Sequence, residues 1–117
     1  MTGHGFDLDG SDGTREVALR RLSIVDEEGN VAMRLDRNGI GIYGPGEKLQ
    51  MLLGPSDEGG VIHLRDAAGR RRLAIDARGQ AGILVFGEDE RPRVAVRGGG
   101  EILIYDVEGT VRVILGR

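Results

Sequence analysis

An aspartate followed three residues later by glycine occurs at Asp26-Glu-Glu-Gly29, Asp66-Ala-Ala-Gly69 and Asp106-Val-Glu-Gly109, 40 residues apart each time. A fixed period with matching flanks is the mark of a repeat architecture, and it limits the fold before any other feature does. Two further units, less evenly spaced, centre on Gly44-Pro-Gly-Glu47 and Gly87-Glu-Asp-Glu90. Counted from the residue that opens each turn, positions −4 and −2 read Leu22/Ile24, Ile40/Ile42, Ile62/Leu64, Ile83/Val85 and Ile102/Ile104. Positions +7 and +9 read Met33/Leu35, Met51/Leu53, Leu73/Ile75, Val94/Val96 and Val113/Leu115. All twenty are aliphatic, which chance does not supply. The sequence therefore predicts five tandem units of about 20 residues over 19–117.

Within each unit the apolar residues alternate with period two, the period of a strand and not of a helix. Aspartate at the start of a turn and glycine at its fourth position suit a type I turn: the carboxylate bonds local amides and glycine accepts positive φ. Asp26, Gly29, Asp66, Gly69, Asp106 and Gly109 are thus the expected structural turn residues. A one-residue slip would turn every side chain to the other face. That parity selects a four-residue loop, Glu27 to Asn30, with Ile24 opposite Met33 and Leu22 opposite Leu35. The expected fold class is all-β, five strand-turn-strand repeats forming a hairpin array, a β-prism or a solenoid. A closed barrel is the alternative. The −4, −2, +7 and +9 residues are expected to face inward as the core.

The other face reads Ser23/Val25, Gly41/Tyr43, His63/Arg65, Leu84/Phe86 and Leu103/Tyr105. Runs such as Ile83-Leu-Val-Phe86 and Ile102-Leu-Ile-Tyr105 are apolar on both faces, as in strands buried on both sides. A single sheet cannot bury both its faces alone. The expected oligomer interface is therefore Leu84, Phe86, Leu103 and Tyr105, with Arg93 and Arg112 at its rim pairing with acids such as Glu88 or Glu101.

Residues 1–18 lack the pattern. Gly3, Gly5, Gly10 and Gly13 with Asp7, Asp9 and Asp12 predict a flexible acidic arm, in which Phe6 and Leu8 are candidates for a short edge segment. Asp7-Leu-Asp9-Gly-Ser11-Asp12-Gly13 opens like a calcium loop, but Asp12 stands where such a loop needs glycine and Ala18 where it needs glutamate. No metal site is assigned. The chain has no cysteine, which excludes disulfides, thiolate zinc and a cysteine nucleophile. His4 and His63 are the only imidazoles, and no serine sits in a Gly-x-Ser-x-Gly elbow. No catalytic residue and no cofactor is assigned.

Sixteen basic residues, all but Lys48 arginine, are interspersed with 19 acids for a net charge of −3, so there is no basic footprint for nucleic acid. No apolar run reaches the roughly 18 residues of a membrane helix, and no signal-peptide core follows Met1. The expected location is the cytoplasm, or outside the cell by a route without a classical signal peptide.

The unit Leu22-Ser-Ile-Val-Asp26-Glu-Glu-Gly-Asn-Val-Ala-Met-Arg-Leu35 resembles those of uncharacterised bacterial tandem β-hairpin repeat proteins with Asp-x-x-Gly turns. The resemblance covers 19–117 and implies a hairpin array; it transfers no activity. The turn Tyr105-Asp106-Val-Glu-Gly109 is similar to the tyrosine-aspartate repeats of secreted shell-forming toxins. The strand pattern is similar, at fold level, to trimeric β-prism spikes. The expected function is that of a non-enzymatic, self-associating structural protein: a scaffold, spike or shell component. The expected assembly is a homo-oligomer, a trimer before a dimer, without nucleic acid or membrane. A small-ligand-binding β-barrel is the second reading, and an enzyme with a site at a subunit interface the third.

Overall fold

Short aliphatic runs of period two, each broken by turn residues, leave the chain strands as its regular elements. The computed structural model describes residues 16–77 and 82–116. They form β1 (Arg21–Val25), β2 (Val31–Asp36), β3 (Gly39–Gly44), β4 (Lys48–Gly54), β5 (Val61–Arg65), β6 (Arg71–Asp76), β7 (Gly82–Phe86), β8 (Pro92–Arg97), β9 (Ile102–Tyr105) and β10 (Val111–Leu115). A single 3-10 turn, Pro45–Glu47, joins β3 to β4. Every strand pairs antiparallel with the next in sequence, giving one ten-stranded sheet in the order β1 to β10. Among the described residues β1 and β10 do not meet, so the sheet is open, which corrects the closed-barrel alternative. Most of the arm expected over 1–18, including His4, Phe6, Leu8 and the stretch Asp7–Gly13, lies outside the described residues.

The register places the aliphatics with unusual regularity. Leu22 stands opposite Leu35, which stands opposite Ile40, and the row continues through Leu53, Ile62, Ile75, Ile83, Val96 and Ile102 to Leu115. A second row runs from Ile24 and Met33 through Ile42, Met51, Leu64, Leu73, Val85, Val94 and Ile104 to Val113. Both rows cross all ten strands on the same face. Ile24 opposite Met33 and Leu22 opposite Leu35 are the expected pairs, but the loop between them differs. The Asp26 amide donates to the Asn30 carbonyl and the Gly29 amide to the Asp26 carbonyl, which closes a three-residue loop. Val25 then pairs with Val31, and a β-bulge leaves Ala32 without a partner before Ile24 meets Met33. Three loop residues plus one bulge residue preserve the same parity as four loop residues.

The bulge recurs. Gln50, Arg72, Arg93 and Arg112 are skipped in their own ladders as Ala32 is in the first. Hydrogen bonds equivalent to those at Asp26 close Asp66–Arg70, Gly87–Arg91 and Asp106–Thr110. Gly29, Gly69 and Gly109 hold φ of 88°, 87° and 89°, as turns of this geometry require.

The expectation about facing is reversed. The two aliphatic rows lie on the open side of the sheet: Ile24 is 49% exposed and Leu115 53%. The buried side chains are on the opposite face, with Ala74 and Ala95 at 3% exposure, Phe86 at 4% and Leu103 at 5%. That face carries a row in which small and long residues alternate: Gly41 beside Leu52, Ala74 between His63 and Leu84, Ala95 between Leu84 and Leu103. A small side chain between two long ones is easily covered. Twenty aliphatics standing shoulder to shoulder cover one another's flanks but leave their tips open. The molecule measures 61 × 34 × 20 Å with a radius of gyration of 19.4 Å, against about 13 Å for a compact domain of this length.

Candidate functional site

Three features of this sheet offer chemistry or contact: the turns, the face that holds Phe86, and the aliphatic face.

Each turn aspartate gathers its own donors. Asp26 Oδ1 accepts from the amides of Glu28 and Asn30 at 2.9 Å each. Asp66 Oδ1 accepts from Ala68 and Arg70 at 3.0 Å, and Asp106 Oδ1 from Glu108 at 2.9 Å and Thr110 at 3.0 Å. The second oxygen takes guanidinium groups: Arg70 Nε at 3.0 Å and Arg72 at 3.5 Å on Asp66, and Arg112 Nε at 2.7 Å on Asp106. Asp89 binds the Arg91 amide at 3.0 Å and Arg93 at 2.9 Å.

These contacts hold the four carboxyls below their ordinary range. At Asp26 the Asn30 amide leads, against a smaller upward push from burial. At Asp66 partial burial pushes upward, and the Arg70 amide, the Arg70 charge and the Ala68 amide together outweigh it. At Asp89 the Arg91 amide and then the Arg93 guanidinium act, and at Asp106 the Thr110 amide, with Arg112 adding to it. Arginines whose donors are held by local aspartates are poor receptors for a foreign phosphate or carboxylate.

Two glutamates escaped the sequence reading. Glu47 and Glu90 adopt φ of 57° and 61°, the region that favours glycine. Each carboxylate reaches a neighbouring hairpin: Glu47 Oε2 accepts from the Val31 amide at 2.7 Å, and Glu90 Oε1 from the Arg71 amide at 2.9 Å. The signal was present, since Gly44–Glu47 and Gly87–Glu90 both end in glutamate where the other three turns have glycine. The glutamates link adjacent hairpins across the turn edge of the sheet.

On the second face, Phe86 is covered by its own chain. The Arg71 guanidinium lies 4.4 Å from the centre of its ring, and Arg72 Nε donates to the Phe86 carbonyl at 3.1 Å. Phe86 and Leu103 are buried within the single chain. Leu84 and Tyr105 are half-buried. Arg93 and Arg112 pair with Asp89 and Asp106, not with Glu88 or Glu101, and Glu101 takes Arg97 at 3.5 Å. His63 stands in the central row of this face between Leu52 and Ala74. Among the described residues no three histidine or carboxylate groups come together as metal ligands.

The aliphatic face holds no charged or polar side chain within its two rows. Between Leu53, Ile62, Ile75 and Ile83 it dips into an open groove of about 460 Å³. A second groove, of about 810 Å³, lies beside β1 and is lined half by apolar residues (Val17, Leu19, Leu22 and Leu35) and half by charged ones (Arg20, Arg21, Asp36 and Arg37). No helix among the described residues is long and apolar enough to cross a membrane. No family model, curated protein or solved structure matches the chain.

Proposed function

We propose that the chain is a non-enzymatic, self-associating structural protein built from five tandem strand-turn-strand units, serving as a scaffold, spike or shell component. The observation that carries this reading is the pair of unbroken rows, ten aliphatic residues each, on an open face of a one-layer sheet. Domains are stable when at least two layers close on a common core. This sheet has one layer, and none of its described side chains is completely enclosed. Association with further copies supplies the missing layer. Three chains around an axis give a prism, and two give a sandwich. Mass photometry or sedimentation at micromolar concentration tests the reading: a mass of two or more chains is expected, and a folded single chain overturns it.

A further inference from the structure

The geometry points to the aliphatic face as the surface through which the copies meet: we propose that it is covered by the same face of further copies of this chain. This rests on the self-association proposed above and moves the contact to the opposite side of the sheet from Phe86.

Area is the first argument. Eleven of the twenty aliphatics are at least 36% exposed. That leaves on the order of 1,000 Å² of contiguous apolar surface, beyond the roughly 300–600 Å² of the largest patch on an ordinary monomer. It also exceeds the roughly 800 Å² that each partner contributes to a stable interface of standard size. Shape is the second. The band is ten strands long and two residues wide, about 7 Å across along the strands. A helix or a small ligand covers only a fraction of such a band. An identical face covers all of it, with side chains at the same spacing to interdigitate, as in stacked sheets about 10 Å apart. Composition is the third. With no charge in either row, copies meet without burying an unpaired ion. Strands that face lipid carry aromatic girdles, and Tyr43, Phe86 and Tyr105 all stand on the other face by strand alternation.

Two experiments test the inference. In the first, Val85→Glu puts a carboxylate on a residue that is open to water in the single sheet. The mass is expected to fall to one chain. Because a lone sheet has little to hold it folded, the second uses the intact assembly. The chain lacks cysteine, so Ile83→Cys places one thiol in the band and Glu27→Cys one at a turn. Maleimide labelling of Cys at 83 is expected to be about tenfold or more slower than at 27, since the reaction requires access. If the wild-type chain is a folded monomer, self-association and this inference both fail. If it is an oligomer but Val85→Glu keeps its mass and both thiols label alike, self-association stands and the aliphatic face is not the contact. A monomer that floats with phosphatidylcholine vesicles would assign the face to lipid instead.

Discussion

At the scale of single residues, one turn position separates conformational cost from contact. A Cβ built on Gly69 meets no atom within 4 Å, so the penalty of a substitution there comes from its φ of +87° alone. Gly69→Ala is expected to lower stability by about 1–2 kcal/mol, the cost of left-handed backbone for an L-residue, measured by urea unfolding. Glu90 presents the opposite balance, since it accepts that cost and gains the Arg71 amide. Glu90→Ala loses the bond and keeps the strain, whereas Glu90→Gly loses the bond and relieves it. The glycine variant is therefore expected to be the more stable of the two by about 1 kcal/mol. Equal stabilities would mean that the backbone at 90 is unstrained. Gly69 was legible in the sequence because turn chemistry is local. Glu90 was not, because its partner is 19 residues away in another hairpin.

At the scale of the hairpin, the sequence disclosed which residues share a face and which pair, because period and parity survive any loop that keeps the count. It did not disclose the bulges, since three loop residues and a skipped Ala32 give the same parity as four. Nor did it disclose which face is covered, because alternation sorts residues into two sets without saying which set has neighbours to close over it. Adjacent positions in β7 make the distinction measurable. Phe86 is buried under Arg71 within its own chain, so Phe86→Ala is expected to cost about 3–5 kcal/mol of stability. Phe86→Glu is expected to abolish the β circular-dichroism signal at every temperature, whereas Val85→Glu, which spares that internal core, is expected to dissociate and to melt early. A folded Phe86→Glu chain would show that the ring is not part of the internal core. The hairpin ends also set a pH dependence. Asp26, Asp66, Asp89 and Asp106 have folded values below the unfolded one of about 3.9. Protons bind the unfolded chain first, so the stabilisation is complete above that value and is lost as pH falls through the folded values. The urea midpoint is expected to be level near neutrality and to drop below about pH 4. Asp66→Asn should flatten part of that drop.

At the scale of the molecule, the radius of gyration of 19.4 Å and the single layer have a thermodynamic consequence. Local ladders, turns and the Phe86 cluster act within one chain, but the larger apolar surface, that of the two rows, is removed from water only when copies meet. On the proposed self-association, folding and association become one transition, and the apparent stability is expected to depend on concentration by mass action. A tenfold dilution costs about 1.4 kcal/mol per association step, while a chain of this length unfolds with an entropy of about 2.1 cal/mol/K per residue. For two chains melting together the ratio is a fall in Tm of about 3 °C for each tenfold dilution, and somewhat more for three, which have two association steps. Scanning calorimetry or circular-dichroism melts from 1 to 100 μM measure it directly. A single-chain fold would melt at the same temperature throughout that range, and so would an assembly that dissociates before its chains unfold. The Val85→Glu chain separates both of these cases from coupled folding and association. If association supplies the second layer, the variant melts far below the wild type at every concentration and loses its dependence on dilution. If the sheet is stable alone, the two chains melt together.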